Sequence, residues 1–164
     1  MAWIQDFFHH KDDLGEFKKK VKEKIGKNLH HDYKYYFNRL PLNIDVSNAR
    51  PLTQQDYPDF LQFFQELYPE SEAESWLPDY FNKLVAEEYI FGVYVGDRLV
   101  SASDSPSMPY MKESLVEIGI NTLPEYRNKG YAKMVIASML NHLINLSRVP
   151  IASCASSNLA SQKL

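Results

Sequence analysis

Residues 115–146 constrain the fold more than any other stretch of the chain. Leu115 to Thr122 alternates with the period of a strand, Val116, Ile118 and Ile120 falling on one face and Glu117, Gly119 and Asn121 on the other. From Gly130 to Leu146 the apolar residues Ala132, Val135, Ile136, Met139, Leu140 and Leu143 recur at helical spacing. The change of period takes place within the short turn-like segment Leu123 to Lys129. A strand that runs almost directly into an amphipathic helix must pack that helix back on the sheet. The chain is therefore read as α/β, with helices layered on strands.

Upstream segments extend the pattern. Val46 to Leu52 reads as extended. Thr53 with Asp56 has the form of a capping box in which an acid replaces the usual Glu or Gln, and Pro58 suits the first turn of the helix that follows. Phe60, Leu61, Phe64, Leu67 and Tyr68 form the apolar stripe of that helix. Glu72 to Ala86 predicts a second helix that buries Trp76, Tyr80, Phe81 and Leu84. Tyr89 to Val95 and Arg98 to Ser103 read as a hairpin, because Gly96-Asp97 supplies the glycine a type II′ turn needs at its first central position. Asp104 to Pro109 reads as a loop, Pro150 to Cys154 as a short strand, and Asn158 to Leu164 as the start of another helix. This order predicts a mixed sheet, α+β in detail, flanked by helices on both faces. The first part differs. Leu14, Phe17, Val21 and Ile25 lie at helical spacing among lysines, and Tyr33 to Phe37 is aromatic and expected to pack. Residues 1–48 are accordingly read as an N-terminal helical extension, and 49–164 as the domain.

Bulk properties narrow the function. The 164 residues carry a net charge of −3, with 45% apolar residues, which suits one globular domain and gives no global field toward nucleic acid or membrane. The basic helix is read as a solvated helix docking one apolar stripe, not as an arm for RNA or an acidic partner. Neither a bilayer-spanning apolar run nor a secretory-signal pattern is present, and Cys154 is the single cysteine, so a cytoplasmic location is expected. His9-His10 and His30-His31 are at i, i+1 spacing, which turns the rings apart, and no metal site is expected.

The chemistry lies in Arg127, Asn128, Lys129, Gly130, Tyr131 and Ala132. They stand where a helix begins, and the first-turn N–H groups of a helix have no partner within it. With the helix dipole behind them, such donors bind phosphate. Gly130 permits close backbone approach, while Arg127 and Lys129 add positive charge. The segment is a credible pyrophosphate cradle.

The run EIGINTLPEYRNKGYA, with the following helix and NLASQKL, closely resembles the signature region of the GNAT N-acetyltransferase superfamily. ARPLTQQDYPDFLQFF resembles that fold's first strand and helix more loosely. The resemblance implies a GNAT-like central mixed sheet, acetyl-CoA as co-substrate, and acetyl transfer to a primary amine by direct attack on the thioester. It implies that Arg127 to Ala132 bind the pyrophosphate, that Ile120, Asn121 and Thr122 pair with the pantetheine arm, and that Asn158 contacts the cofactor. Many members carry a tyrosine just beyond a segment like Asn158 to Leu164, which protonates the departing thiolate. Here Leu164 is the last residue, so the domain is read as cut short in its last helix.

Attack on a thioester needs a neutral amine, hence a base. Glu117 is the candidate, two residues before Gly119, where a bulge could free a backbone N–H for the oxyanion. Glu113 and Asp104 come next, and Cys154 is read as an apolar filler. The acceptor is a small-molecule or protein amine whose identity stays open, and a homodimer is allowed. The alternative function is a catalytically inactive CoA-binding regulatory or interaction module.

Overall fold

The computed structural model describes residues 19, 22–24, 26, 32–36, 44–105, 111 and 114–163. Strands are β1 (Asp32–Tyr36), β2 (Ala49–Pro51), β3 (Phe91–Val95), β4 (Arg98–Asp104), β5 (Leu115–Glu117), β6 (Gly119–Thr122) and β7 (Val149–Ala155). Helices are α1 (Tyr57–Leu67), α2 (Leu77–Ala86), α3 (Tyr131–Asn145) and the short α4 (Leu159–Gln162). Two sheets form. One has the order β2-β3-β4-β6 and is antiparallel; the other has the order β1-β7-β5, with β1 antiparallel and β5 parallel to β7.

Helices cover both faces of the four-stranded sheet. Strand β4 is buried from Leu99 through Ser103, so neither of its faces meets solvent. Helix α3 packs against β2, β3, β4, β6 and β7, while α1 packs against β4 and α2. Phe60 and Phe63 of α1, Leu77, Phe81 and Leu84 of α2, and Val135, Met139 and Leu143 of α3 close the core around Val93 and Val100. The hairpin turn carries φ +59° at Gly96 and directly pairs Val95 with Arg98, in keeping with the two-residue turn expected from sequence.

Four sequence expectations change. The segment before residue 49 is not helical throughout: residues 32–36 form β1 and pair with Ile151–Ala155 of β7. The run Asp32 to Tyr35 alternates polar and aromatic residues, a short strand signal that the helical reading of the segment passed over, and pairing with β7 completes it. Among residues 12–27, residues 19 and 22–24 are helical and exposed, Gly26 is an exposed bend with φ +72°, and the rest lies outside the described residues. Trp76 is 43% exposed, because a 3-10 turn, Ala73–Ser75, precedes α2 and hands the inward position to Leu77. Asp104 belongs to β4 rather than to a loop. Finally, Leu115 to Thr122 is two strands in two sheets, parted at Ile118.

Asp56 ties the front of the domain together. Its carboxylate, 7% exposed, accepts hydrogen bonds from Arg50 Nη1 and Nη2 at 3.0 and 2.5 Å, Thr53 N at 2.7 Å, Thr53 Oγ1 at 2.8 Å and the Tyr94 hydroxyl at 3.0 Å. The Arg50 guanidinium beside Asp56, and the Thr53 and Tyr94 donors, hold the carboxyl well below the usual range despite its burial. One side chain thus connects β2, the start of α1 and β3. Asp56→Ala strands these donors and should lower unfolding free energy by about 2–4 kcal/mol, read from urea denaturation at pH 7. The depressed pKa makes this contribution present above about pH 4 and lost as pH falls below it, so parent and variant should converge in acid.

Candidate functional site

The site is set by how one extended run serves two sheets. Val116 and its neighbours pair with β7 in parallel, and the Ile118 N–H donates to the Ile151 carbonyl at 2.7 Å. One residue later the run has changed partners: Gly119 pairs with Asp104, and Thr122 with Ser101, across β4. Past Ile118, β6 and β7 belong to different sheets. Strand β6 is the last strand of its sheet among the described residues, and its second edge is open. An open edge presents a row of backbone donors and acceptors.

Gly119 is required at the parting. A Cβ on it would stand 2.0 Å from Asp104 Oδ1 and 2.8 Å from the Asp104 carbonyl oxygen. The Asp104 carboxyl therefore occupies the space a side chain would need. Burial pushes the Asp104 carboxyl up to about 6, with the charge of Glu117 adding to the effect. Glu117 lies at the end of β5, and its Oε1 accepts a short hydrogen bond from Ser153 Oγ of β7. Burial, and then the charge of Asp104, push the Tyr80 hydroxyl of α2 up to about 12, so it stays protonated and can donate. Two carboxyl groups and a phenol thus converge at the parting from β4, β5 and α2.

An aromatic row borders this face. Phe64 lies 4.8 Å from Tyr68 and 5.4 Å from Trp76, ring centre to ring centre, and Trp76 lies 5.8 Å from Tyr80. The Tyr68 hydroxyl donates to Asn121 Oδ1 at 3.2 Å, which brings the row to β6. Tyr68 and Trp76 remain 43% exposed, an unusual position for large rings with no partner beyond them in the described chain.

Strand β6 leads into the cradle. A 3-10 turn, Pro124–Tyr126, is followed by left-handed backbone at Asn128 (φ +60°) and Gly130 (φ +89°). The Met134 N–H donates to the Gly130 carbonyl at 3.2 Å and closes the first turn of α3, so the N–H groups of Tyr131, Ala132 and Lys133 precede any acceptor within the helix. Space is not why Gly130 is glycine: a Cβ there would meet nothing within 4 Å, and the requirement is its positive φ. The Tyr126 ring organises the loop, with Lys129 Nζ 5.0 Å from its centre, Arg98 Cζ at 5.4 Å and the Tyr131 ring at 6.3 Å. Arg98 also bridges Glu66 and Glu125. Arg127 turns back, its Nε donating to the Thr122 carbonyl at 3.1 Å.

The residues singled out in the sequence are thus distributed along one path. Glu117 stands at the parting, Ile120, Asn121 and Thr122 form the open-edged strand, and Arg127 to Ala132 form the loop and first turn. Asn158 caps α4, its Oδ1 accepting from the Ser161 N–H at 3.1 Å, which leaves its amide nitrogen and a second lone pair of Oδ1 for any other contact. Glu113, His9, His10, His30 and His31 lie outside the described residues. Sequence reasoning placed Asp104 in a loop and did not bring Tyr68, Tyr80 and Ser153 to this region, which only the strand register and helix packing do. A cavity of about 290 Å³, lined by residues that include Asp59, Glu66 and Arg98, lies at the opposite end of β4 from Asp104. Among the described residues no group of three or more His, Cys, Asp and Glu could hold a metal ion, and no helix is long and apolar enough to cross a membrane.

Residues 87–164 match the GNAT acetyltransferase family model. No curated protein matches the chain in sequence. Among solved structures, a GNAT-family acetyltransferase from Colwellia psychrerythraea is 22% identical with a TM-score of 0.70, over 82% of this chain and 50% of that one. A GNAT-family acetyltransferase from Novosphingobium aromaticivorans is 21% identical with a TM-score of 0.59, over 80% of this chain and 55% of that one. This chain therefore spans about half the length of those two proteins. The acetyltransferase AAC(6')-Iy, solved with the bisubstrate analogue CoA-S-monomethyl-acetylneamine, is 19% identical with a TM-score of 0.59, over 70% of this chain and 84% of that one. At these identities the likeness is one of fold.

The raised Asp104 pKa has a consequence for stability. Between about pH 4 and pH 6 the folded state holds a proton that the unfolded state has lost, so stability falls as pH rises through that window. Asp104→Asn removes the cost of a buried charge. It should be more stable than the parent at pH 7.5 by on the order of 1–2 kcal/mol, a figure reduced for partial solvation, and equal to it below pH 4. Urea titrations at the two pH values read the difference.

Proposed function

We propose that this chain, which belongs to the GNAT acetyltransferase superfamily, binds acetyl-CoA and transfers the acetyl group to a primary amine. The observation that carries this reading is the continuity of the open edge of β6 with the left-handed turn and uncapped N-terminus of α3. The residues fit such a substrate. An amide-bearing pantetheine arm can pair with Ile120, Asn121 and Thr122 as an added strand. The pyrophosphate suits the backbone donors of Arg127, Asn128, Lys129, Gly130, Tyr131 and Ala132, with Lys129 beside them. The amide of Asn158 retains its nitrogen and one oxygen lone pair for the cofactor. In this arrangement the thioester lies toward the parting, where Glu117 accepts a proton from the attacking nitrogen and an N–H on the β6 edge can receive the oxyanion.

The catalytic unit is residues 49–164, to which the earlier segment adds β1. The reading is of an enzyme acting on a small-molecule or protein amine in the cytoplasm, as a monomer or homodimer. It needs no metal, nucleic acid or membrane.

Acetyl-CoA at about 100 times its Kd should raise unfolding free energy by roughly 2.7 kcal/mol, seen as a rise in Tm. No shift at millimolar acetyl-CoA refutes the assignment. Gly130→Ala, forced into a left-handed conformation, should lose about 1–2 kcal/mol of stability and in addition weaken acetyl-CoA binding. If the folded variant binds as the parent does, the cradle lies elsewhere. Glu117→Gln should lower kcat by about a hundredfold or more with little change in acetyl-CoA affinity, measured by steady-state kinetics and titration. Cofactor binding with no turnover on any amine would instead favour a binding module.

A further inference from the structure

Conversion of an ammonium ion into an amide requires the nitrogen to lose two protons, and the parting holds two carboxyl groups. We propose that Asp104 takes the first proton, turning the bound ammonium into the neutral amine, and that Glu117 takes the second as the C–N bond forms. This deepens the acetyl-transfer reading and rests on it.

The geometry distinguishes the two groups. Asp104 Oδ1 stands in the space above Gly119, where the run changes sheets, so this carboxyl is built into the floor of the site. Glu117 approaches from β5 on the same alternating face as Gly119 and Asn121, and is oriented by Ser153 Oγ. Among the described residues, the titratable groups that act on Asp104 are Glu117 from β5 and Tyr80 from α2. Neither is a cation, so an arriving ammonium is the charge that balances the pair. Beyond it the exposed rings of Tyr68 and Trp76 offer a surface for the body of the acceptor and for its positive charge. Burial makes Asp104 a stronger base than an ordinary carboxylate, which suits removal of a proton from an amine.

The step balances. Asp104 removes one proton from R–NH3+. The freed lone pair attacks the thioester carbonyl carbon, the C–N bond forms, and Glu117 accepts the second proton. The C–S bond breaks with its electron pair on sulfur, which takes back one of the two protons to leave as a thiol. The other proton passes to solvent.

The test compares two acceptors of the same shape, 2-phenylethylamine, an ammonium ion at pH 7, and O-benzylhydroxylamine, a weakly basic oxyamine that is neutral there. The kcat/KM ratio of amine to oxyamine should fall at least about tenfold in Asp104→Asn and stay within about twofold in Glu117→Gln, which loses activity on both. Raising the pH toward 10 should restore the amine rate of Asp104→Asn, since more of the amine is then neutral. Parent pH profiles give a check that needs no variant: kcat/KM for the amine should fall below about pH 6, while that for the oxyamine stays flat through pH 6. If turnover is found on a different amine, that amine and its oxyamine analogue form the pair. Turnover with an unmoved ratio, or with both acceptors losing equally in Asp104→Asn, overturns the role of Asp104 and leaves acetyl transfer standing. Acetyl-CoA binding with no acetylation of any amine overturns acetyl transfer itself, and this assignment with it.

Discussion

A backbone can satisfy two strands on its two edges, and the run 115–122 uses its edges in turn rather than together. Up to Ile118 it spends them on β7; from Gly119 it spends them on β4. Everything distinctive follows from that exchange. Because the two halves diverge, β6 keeps an edge unused by any described strand. A ligand with amides of its own can complete it, as a strand would. The exchange also explains the composition at the junction. A side chain at 119 would collide with Asp104, so the residue is glycine, and the space it gives up is filled by a carboxyl.

Electrostatics at the junction then depend on packing rather than on net charge. The chain carries only −3 overall, yet Asp104 is perturbed because it is half-withdrawn from water beside Glu117. At the other end of the same path the donors are backbone N–H groups held by φ angles that few residues adopt. Acid groups at one end and an electropositive helix terminus at the other give the path a polarity of its own, suited to a ligand that is anionic at one end and meets a cation at the other.

What could be read from the sequence was whatever depends on near neighbours. The Asp56 cap, the Gly96 turn and the limits of α3 to within a residue are all local, and each was legible; Gly130 was read as allowing close backbone approach, whereas its positive φ is what requires glycine. What could not be read depends on partners far along the chain. Alternation continues unbroken from Leu115 to Thr122, because side chains still alternate when the hydrogen-bond partner changes. The pairing of Asp104 with Gly119 is a matter of register, on which composition is silent. The pairing of β1 with β7 joins Asp32 to Ala155, far along the chain, and could not be read locally. Trp76, placed on the buried side of a helix read from Glu72, is 43% exposed, because a 3-10 turn precedes α2 and shifts its phase.

The two sheets also differ in how much chain must be ordered before they can exist. The four-stranded sheet is assembled from elements between Ala49 and Thr122, several of them joined by short connections. The other sheet draws β1 from near residue 32 and β7 from near residue 155, so its central pairing closes almost the whole described chain into one loop. Loop-closure entropy delays such contacts, and local ones form ahead of them. During synthesis β7 emerges after the other described strands, and until it does β5 has no strand partner among them. The parting of β5 from β6 is therefore a late product of folding, finished by the strand that also pairs with β1.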